Sequence, residues 1–265
     1  MSALRLAIFG CTGKMGRAVV RLASADDGFR VVAAVTRAGD PYLAQDAGSP
    51  AGAPLLGVAV AQECAASCDV AIEFTSPSGC VACAEWAAAR GVAVVSGATG
   101  LAPPQQARVE AAARAVPIVR SPNMSVGVNV LLKLVADAAR QLGPEWDVEI
   151  VEAHHRQKTD APSGTARALL QAVCDVRSVR AEEVVKPGRS GECGPRRAGE
   201  IGVHAVRMGG VVGEHDVHFA DSGEVLTLGH RAASRDIFAA GALRAARWVV
   251  GRQPGLYSMR DVLSG

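Results

Sequence analysis

One short segment constrains the fold more than any other. Gly10-Cys11-Thr12-Gly13-Lys14-Met15-Gly16 sets three glycines at even spacing between an apolar run, Leu4–Phe9, and a helix-like stretch from Met15 to Ala25. Glycine backbone can approach a pyrophosphate closely, and the helix that follows offers its free N–H groups and the positive end of its dipole. A second apolar run, Phe29–Val35, ends at Thr36-Arg37 and completes a strand–loop–helix–strand unit of the length that binds a dinucleotide. Glycine is common in this chain, at 29 residues, so it is the position directly after the first strand that gives the triplet its meaning.

The rhythm repeats. Strands are expected at Val70–Phe74, Val92–Ser96 and Pro117–Arg120, and helices at Val81–Arg90 and Pro104–Ala115, with an irregular connection over 38–60. Strands that alternate with helices form a parallel, doubly wound α/β sheet. After Ser121 the pattern changes. An Asn/Ser/Gly-rich segment, 121–129, leads as a candidate hinge into an amphipathic helix, Val130–Leu142. Strand-like runs then follow at Val148–Glu152, Glu200–Arg207, Gly210–Ala220 and Glu224–Ala232, with a helix from Ser163 to Val176. This is an α+β domain with a mixed sheet, in which 185–199 reads as a long mobile loop. The expected division is a dinucleotide-binding domain over 1–125, a second domain over 126–235, and a C-terminal segment, 236–265, whose helix returns to the first.

Charge and composition narrow the function. The 28 Lys and Arg residues nearly cancel 26 Asp and Glu, and five Phe, three Trp and two Tyr leave little for base stacking, so neither nucleic acid nor an anionic membrane is an expected partner. No run reaches the roughly 18 apolar residues of a spanning helix, and Leu6–Phe9 is too short for a signal peptide, so a cytoplasmic protein is expected. The seven cysteines, at 11, 64, 68, 80, 83, 174 and 193, lack zinc-site spacing and read as reduced thiols. No metal is expected.

The acidic residue that would hold an adenosine 2′-hydroxyl after the second strand is absent, and Thr36-Arg37 stands there. Arg37 can pair with a 2′-phosphate, and Lys14 can assist, which favours NADPH over NADH. The turns Glu73–Pro77 and Ser96–Gly100 follow strands of the same sheet, where small residues leave room for a nicotinamide ring. The densest cluster runs Glu152-Ala153-His154-His155-Arg156-Gln157-Lys158-Thr159-Asp160-Ala161-Pro162-Ser163-Gly164-Thr165. Its cationic groups precede a helix start, a pattern suited to a small anionic substrate: the Gly164 and Thr165 N–H groups can hold a carboxylate, and Lys158 or His154 can transfer a proton. The front half alone would also suit another dehydrogenase, acting on an amino acid or semialdehyde, or a cofactor-sensing protein without turnover.

At this cluster the sequence resembles the dihydrodipicolinate reductase (4-hydroxy-tetrahydrodipicolinate reductase) family. The likeness rests on E-A-H-H-R-Q-K-T-D-A-P-S-G-T-A, with G-C-T-G-K-M-G-R, S-G-A-T-G, S-P-N-M-S-V-G-V-N-V, R-M-G-G-V-V-G-E-H and H-R-A-A-S-R-D-I-F-A in order along the chain. The resemblance implies a Rossmann domain plus a domain for substrate binding and homotetramer assembly, acting in the diaminopimelate route to lysine. It further implies that Gly10, Cys11, Thr12, Gly13, Lys14 and Met15 hold the pyrophosphate, that Thr36 and Arg37 meet the adenosine ribose or its phosphate, and that Gly97, Ala98, Thr99, Ser121, Pro122, Asn123 and Met124 line the nicotinamide side. His154 is implied as proton donor and acceptor, Lys158 as proton donor, and His155, Gly164 and Thr165 as ligands of a dicarboxylate substrate. Many relatives carry an acidic residue where Thr36 stands, which bears on NADH use.

Overall fold

A computed structural model describes residues 2–265. The chain divides into two compact units, one comprising the chain up to Val126 with Arg235–Gly265, the other Gly127–Ser234.

The first unit is built on β1 (Leu4–Phe9), α1 (Lys14–Ser24), β2 (Phe29–Val35), α2 (Gly48–Ala51), β3 (Val60–Ala61), β4 (Val70–Glu73), α3 (Pro77–Ala88), β5 (Ala93–Ser96), α4 (Pro103–Ala112) and β6 (Pro117–Arg120). The helix α5 (Val126–Leu142) begins at its boundary. The second unit follows with β7 (Asp147–His154), α6 (Gly164–Arg177), α7 (Ala181–Val184), β8 (Val185–Lys186), β9 (Ile201–Arg207), β10 (Gly213–Ala220) and β11 (Val225–Ala232). The first unit then resumes with α8 (Asp236–Val249), β12 (Gly255–Tyr257) and α9 (Met259–Ser264).

The first sheet is wholly parallel, in the order β12-β6-β5-β4-β1-β2-β3. Its strands are apolar on both faces because both faces are covered. Leu6, Ile8, Val70, Ile72 and Val95 pack with α1 and α8 on one side, whereas Ala7, Ala71, Val94 and Ile118 pack with α3 and α4 on the other. This is the doubly wound, Rossmann-type arrangement expected. α8 lies along α1, tied by Arg21 to Asp236 (2.7 Å) and by Arg247, which stacks over Phe29 and pairs with Asp26.

The segment 38–60 is more ordered than expected. The Asp46 carboxylate accepts backbone N–H bonds from Gly48, Leu56, Gly57 and Val58, and so folds the loop around one side chain and delivers β3 to the sheet edge. α5 starts four residues before the sequence pattern indicates. An Asx turn, Asn123 Oδ1 accepting from Ser125 N–H at 2.9 Å, brings the chain into the helix inside the segment read as a hinge.

The second unit has a mixed sheet, β11-β10-β7-β9-β8, in which β7 is parallel to β9 and antiparallel to β10. Val148, Ile150, Ile201, Val203, Val217 and Phe219 point to one face and form its core with Leu131 and Val135 of α5 and Leu169 and Val173 of α6. The other face carries Glu149, Val151, His204, Val206, Asp216 and His218, all at least partly exposed. The loop read as mobile over 185–199 opens with β8 and is fastened to Glu149 of that face by Arg189 (3.0 Å) and Arg196.

Candidate functional site

In the first unit, the loops that follow β1, β2, β4, β5 and β6 carry the candidate cofactor residues. Gly10 has φ +80°, and a Cβ there would lie 2.6 Å from the Phe74 carbonyl oxygen; at Gly16 it would lie 2.0 Å from the Gly10 carbonyl oxygen. Only glycine permits α1 to approach the strand this closely. No side chain caps the start of α1 and its first turn contains no acid, so its leading N–H groups and dipole are available to an anion. Two cavities open here, one of about 400 Å³ bordered by Lys14, Met15, Phe74, Gly97, Ser121 and Asn123, the other of about 800 Å³ bordered by Gly10, Thr36, Arg37, Thr75, Ser76 and Trp86. A close-approach glycine loop, an uncapped helix start and two flanking cavities fit the shape and charge of a dinucleotide.

The sequence-derived residues divide between these features. Lys14, Met15, Gly97, Ser121, Pro122, Asn123 and Met124 meet at the smaller cavity, and Gly10, Thr36 and Arg37 at the larger. Cys11 and Ala98 turn their side chains into the two cores, and burial pushes the Cys11 thiol up to about 11, so both can present only backbone to a ligand. Thr99 is exposed.

Two carboxylates that sequence reasoning passed over organise these loops. Glu73 is fully buried at the end of β4; it accepts from both the N–H and the hydroxyl of Thr75, and from Ser96 Oγ at 2.6 Å, joining the turns after β4 and β5. Asp40 stands beside the glycine loop. Its Oδ2 accepts from Thr12 Oγ1 (2.7 Å) and Thr36 Oγ1 (2.9 Å), its Oδ1 accepts from Tyr42 N–H (3.0 Å), and the two hydroxyls lie 2.8 Å apart. Tyr42 N–H and the Thr12 hydroxyl are the main reasons the Asp40 carboxyl lies below its ordinary value.

The second unit gathers the other candidate residues at the end of β7, the loop 155–163 and the start of α6. Strand alternation puts Glu152 and His154 on one face of β7, and antiparallel register sets His215 of β10 opposite Glu152. Glu152 is fully buried and accepts from His154 Nδ1 (2.6 Å), Arg207 (2.8 and 2.9 Å) and Ser163 N–H (3.0 Å). Burial pushes its carboxyl up, but Arg207, His154 and Ser163 together outweigh burial and hold it below its ordinary value. With Glu152 ionised, Nδ1 of His154 is the donor, which leaves Nε2 as the nitrogen that can exchange a proton. Burial, followed by the neighbouring His154, pushes His215 down to about 4, so it is neutral near pH 7. Its Nε2 meets Ser163 Oγ at 3.1 Å, and the same oxygen accepts from Ala166 N–H as the cap of α6.

Lys158 is ion-paired with Asp160 at 2.7 Å, and its side chain is 19% exposed. His155 and Thr165 are partly buried and Gly164 is exposed, all on the same loop and helix start. Exposed pairs such as Arg5 with Asp69 contribute little, because solvent screens them. The Glu152 cluster belongs to another class, because loss of Arg207 would leave a desolvated carboxylate held only by His154 and Ser163 N–H. Glu152, Arg207 and His215 were absent from the sequence-derived set, although the Glu152/His154 spacing of two on a strand was a readable signal. Among the described residues no group of three or more His, Cys, Asp or Glu side chains is arranged for a metal ion, and no helix is long and apolar enough to cross a membrane. Six of the seven free cysteines are buried; Cys193 is exposed.

Family models described as dihydrodipicolinate reductase, N-terminus, and dihydrodipicolinate reductase, C-terminus, match residues 4–124 and 127–263. A 4-hydroxy-tetrahydrodipicolinate reductase from Myxococcus xanthus is 49% identical, over 98% of this chain and 97% of its own. One from Anaeromyxobacter dehalogenans is 48% identical, with the same shares covered. Among solved structures, a dipicolinate-bound dihydrodipicolinate reductase from Paenisporosarcina sp. TG-14 superposes with a TM-score of 0.78 at 25% identity, covering 97% of each chain. The chain belongs to the dihydrodipicolinate reductase family.

Proposed function

We propose that this oxidoreductase reduces 4-hydroxy-tetrahydrodipicolinate to tetrahydrodipicolinate with NADPH or NADH, in the diaminopimelate route to lysine. The observation that carries the reading is the His154 imidazole fixed by a buried, ionised Glu152 beside Lys158 and the start of α6. The names of the relatives and the dipicolinate in the Paenisporosarcina structure support the substrate class. In this reading the first unit holds the nucleotide and the second the dicarboxylate.

Gly10 to Met15 would hold the pyrophosphate through backbone N–H groups, with Lys14 adding charge. Arg37 would pair with a 2′-phosphate, which favours NADPH, while Thr36 would stand at the ribose. Gly97 to Thr99 and Ser121 to Met124 would border the nicotinamide, which supplies hydride when bound. One substrate carboxylate would lie on the Gly164 and Thr165 N–H groups at the start of α6, with His155 beside it. These donors neutralise the dianion and stabilise charge that develops as hydride arrives. The 4-hydroxyl leaves as water, hydride reaches the ring carbon that carried it, and Lys158 Nζ, released from Asp160, would give the proton to the neighbouring ring carbon, with His154 Nε2 exchanging a proton alongside it.

The half-exposed face of the second unit's sheet, with Val206 at 39% and Val225 at 64% exposure, offers a surface for self-association, and the family resemblance implies that the assembly is a homotetramer. The deciding experiment follows nucleotide oxidation in the presence of freshly made dihydrodipicolinate synthase product. Oxidation that requires that product is the expected result; nucleotide binding without turnover would overturn the catalytic assignment.

A further inference from the structure

Rossmann-type sites place an acidic residue after the second strand, where it receives the ribose hydroxyls and excludes a 2′-phosphate. Here that position is Thr36, yet the charge is not missing. Asp40, four residues on, folds back so that Oδ2 accepts from Thr36 Oγ1 at 2.9 Å and from Thr12 Oγ1 at 2.7 Å. A carboxylate thus stands against the glycine loop, one hydrogen bond from the side chain that occupies the acidic residue's place. Tyr42 N–H fixes its other oxygen. A carboxylate has about four acceptor sites, and three are taken. Because the Thr12 and Thr36 hydroxyls also lie within hydrogen-bond reach of each other, either can turn away and free a further site. Arg37, exposed at the border of the larger cavity, brings the opposite charge to the same end of the loop.

We propose that Asp40 is a specificity-determining residue: its carboxylate receives the adenosine ribose hydroxyls and repels a 2′-phosphate, so that the balance between NADH and NADPH is set by Asp40 against Arg37. The proposal rests on the nucleotide-binding reading above. A like charge within a few ångströms at a partly exposed site alters affinity by about tenfold.

The test measures dissociation constants of NADH and NADPH by calorimetry on the full chain, as wild type, Asp40→Asn and Arg37→Ala. Asn keeps an oxygen for Tyr42 N–H and removes the charge. The expected result is that Asp40→Asn tightens NADPH about tenfold while NADH weakens or stays the same. Arg37→Ala, an exposed change independent of how the Asp40 loop tolerates substitution, is expected to leave a chain that prefers NADH by about tenfold. Equal shifts for both nucleotides in Asp40→Asn, or an Arg37→Ala chain that binds both equally, would overturn the proposal and leave the nucleotide site intact. A wild-type chain that binds neither nucleotide would instead overturn the reading beneath it.

Discussion

Lys158 and His215 show how neighbours govern single side chains. Lys158 is paired with Asp160, which holds its Nζ at the loop. Lys158→Ala is expected to lower kcat by about 10²–10⁴, the range of a general acid, with NADPH affinity unchanged in a titration; an unaltered kcat would remove it from the chemistry. His215 works in the opposite sense. Its value near 4 lies below the ordinary 6.5, so between these pH values only the unfolded chain takes up the proton. The stability it contributes is fully present above about 6.5 and is lost as pH falls towards 4, a span worth about 3 kcal/mol. Denaturant midpoints at pH 7 and 4.5 should therefore fall further for the wild type than for His215→Asn, and parallel losses would show that the acid sensitivity lies elsewhere.

Among the elements, α8 does more than cover the sheet. A Cβ at its Gly241 would stand 1.8 Å from the Met124 carbonyl oxygen, so the helix presses directly on the loop that borders the smaller cavity. Gly241→Ala should cost about 1–3 kcal/mol by overpacking and weaken nucleotide binding by displacing that loop. Thermal melting and a nucleotide titration check both effects, and a variant that matches the wild type in the two would refute the contact. Elements with a clear period were legible in the sequence: β1, β2 and β6 begin and end where the apolar runs do. β3, β8 and β12 have only two or three residues each and carry no period; they exist because a neighbouring strand offers an edge. The site divides in the same way. His154, Lys158 and Gly164 stand in one continuous motif, whereas Arg207 and His215 reach Glu152 only through the register of a sheet whose partners lie far along the chain. Asp40 was hidden for a different reason, since its role depends on a loop that folds back on itself.

For the whole molecule, the second sheet keeps one face for its core and leaves the other half-exposed, with carboxylates, histidines and valines side by side. Light scattering should return four times the 27.2 kDa chain mass, and a monomer at micromolar concentration would contradict assembly through that face. The seven-stranded sheet has its own large-scale property. Its edge strand β12 pairs with β6 although the entire second unit separates them in chain order. On the ribosome, β6 therefore emerges with one side bare and stays so until β12 follows β11 and α8 out, while the continuous second unit can complete itself first. That interval is when unpaired backbone could join another nascent copy. Synthesis rate and chaperone supply, more than the stability of the finished protein, would then decide how much of this chain reaches its native form.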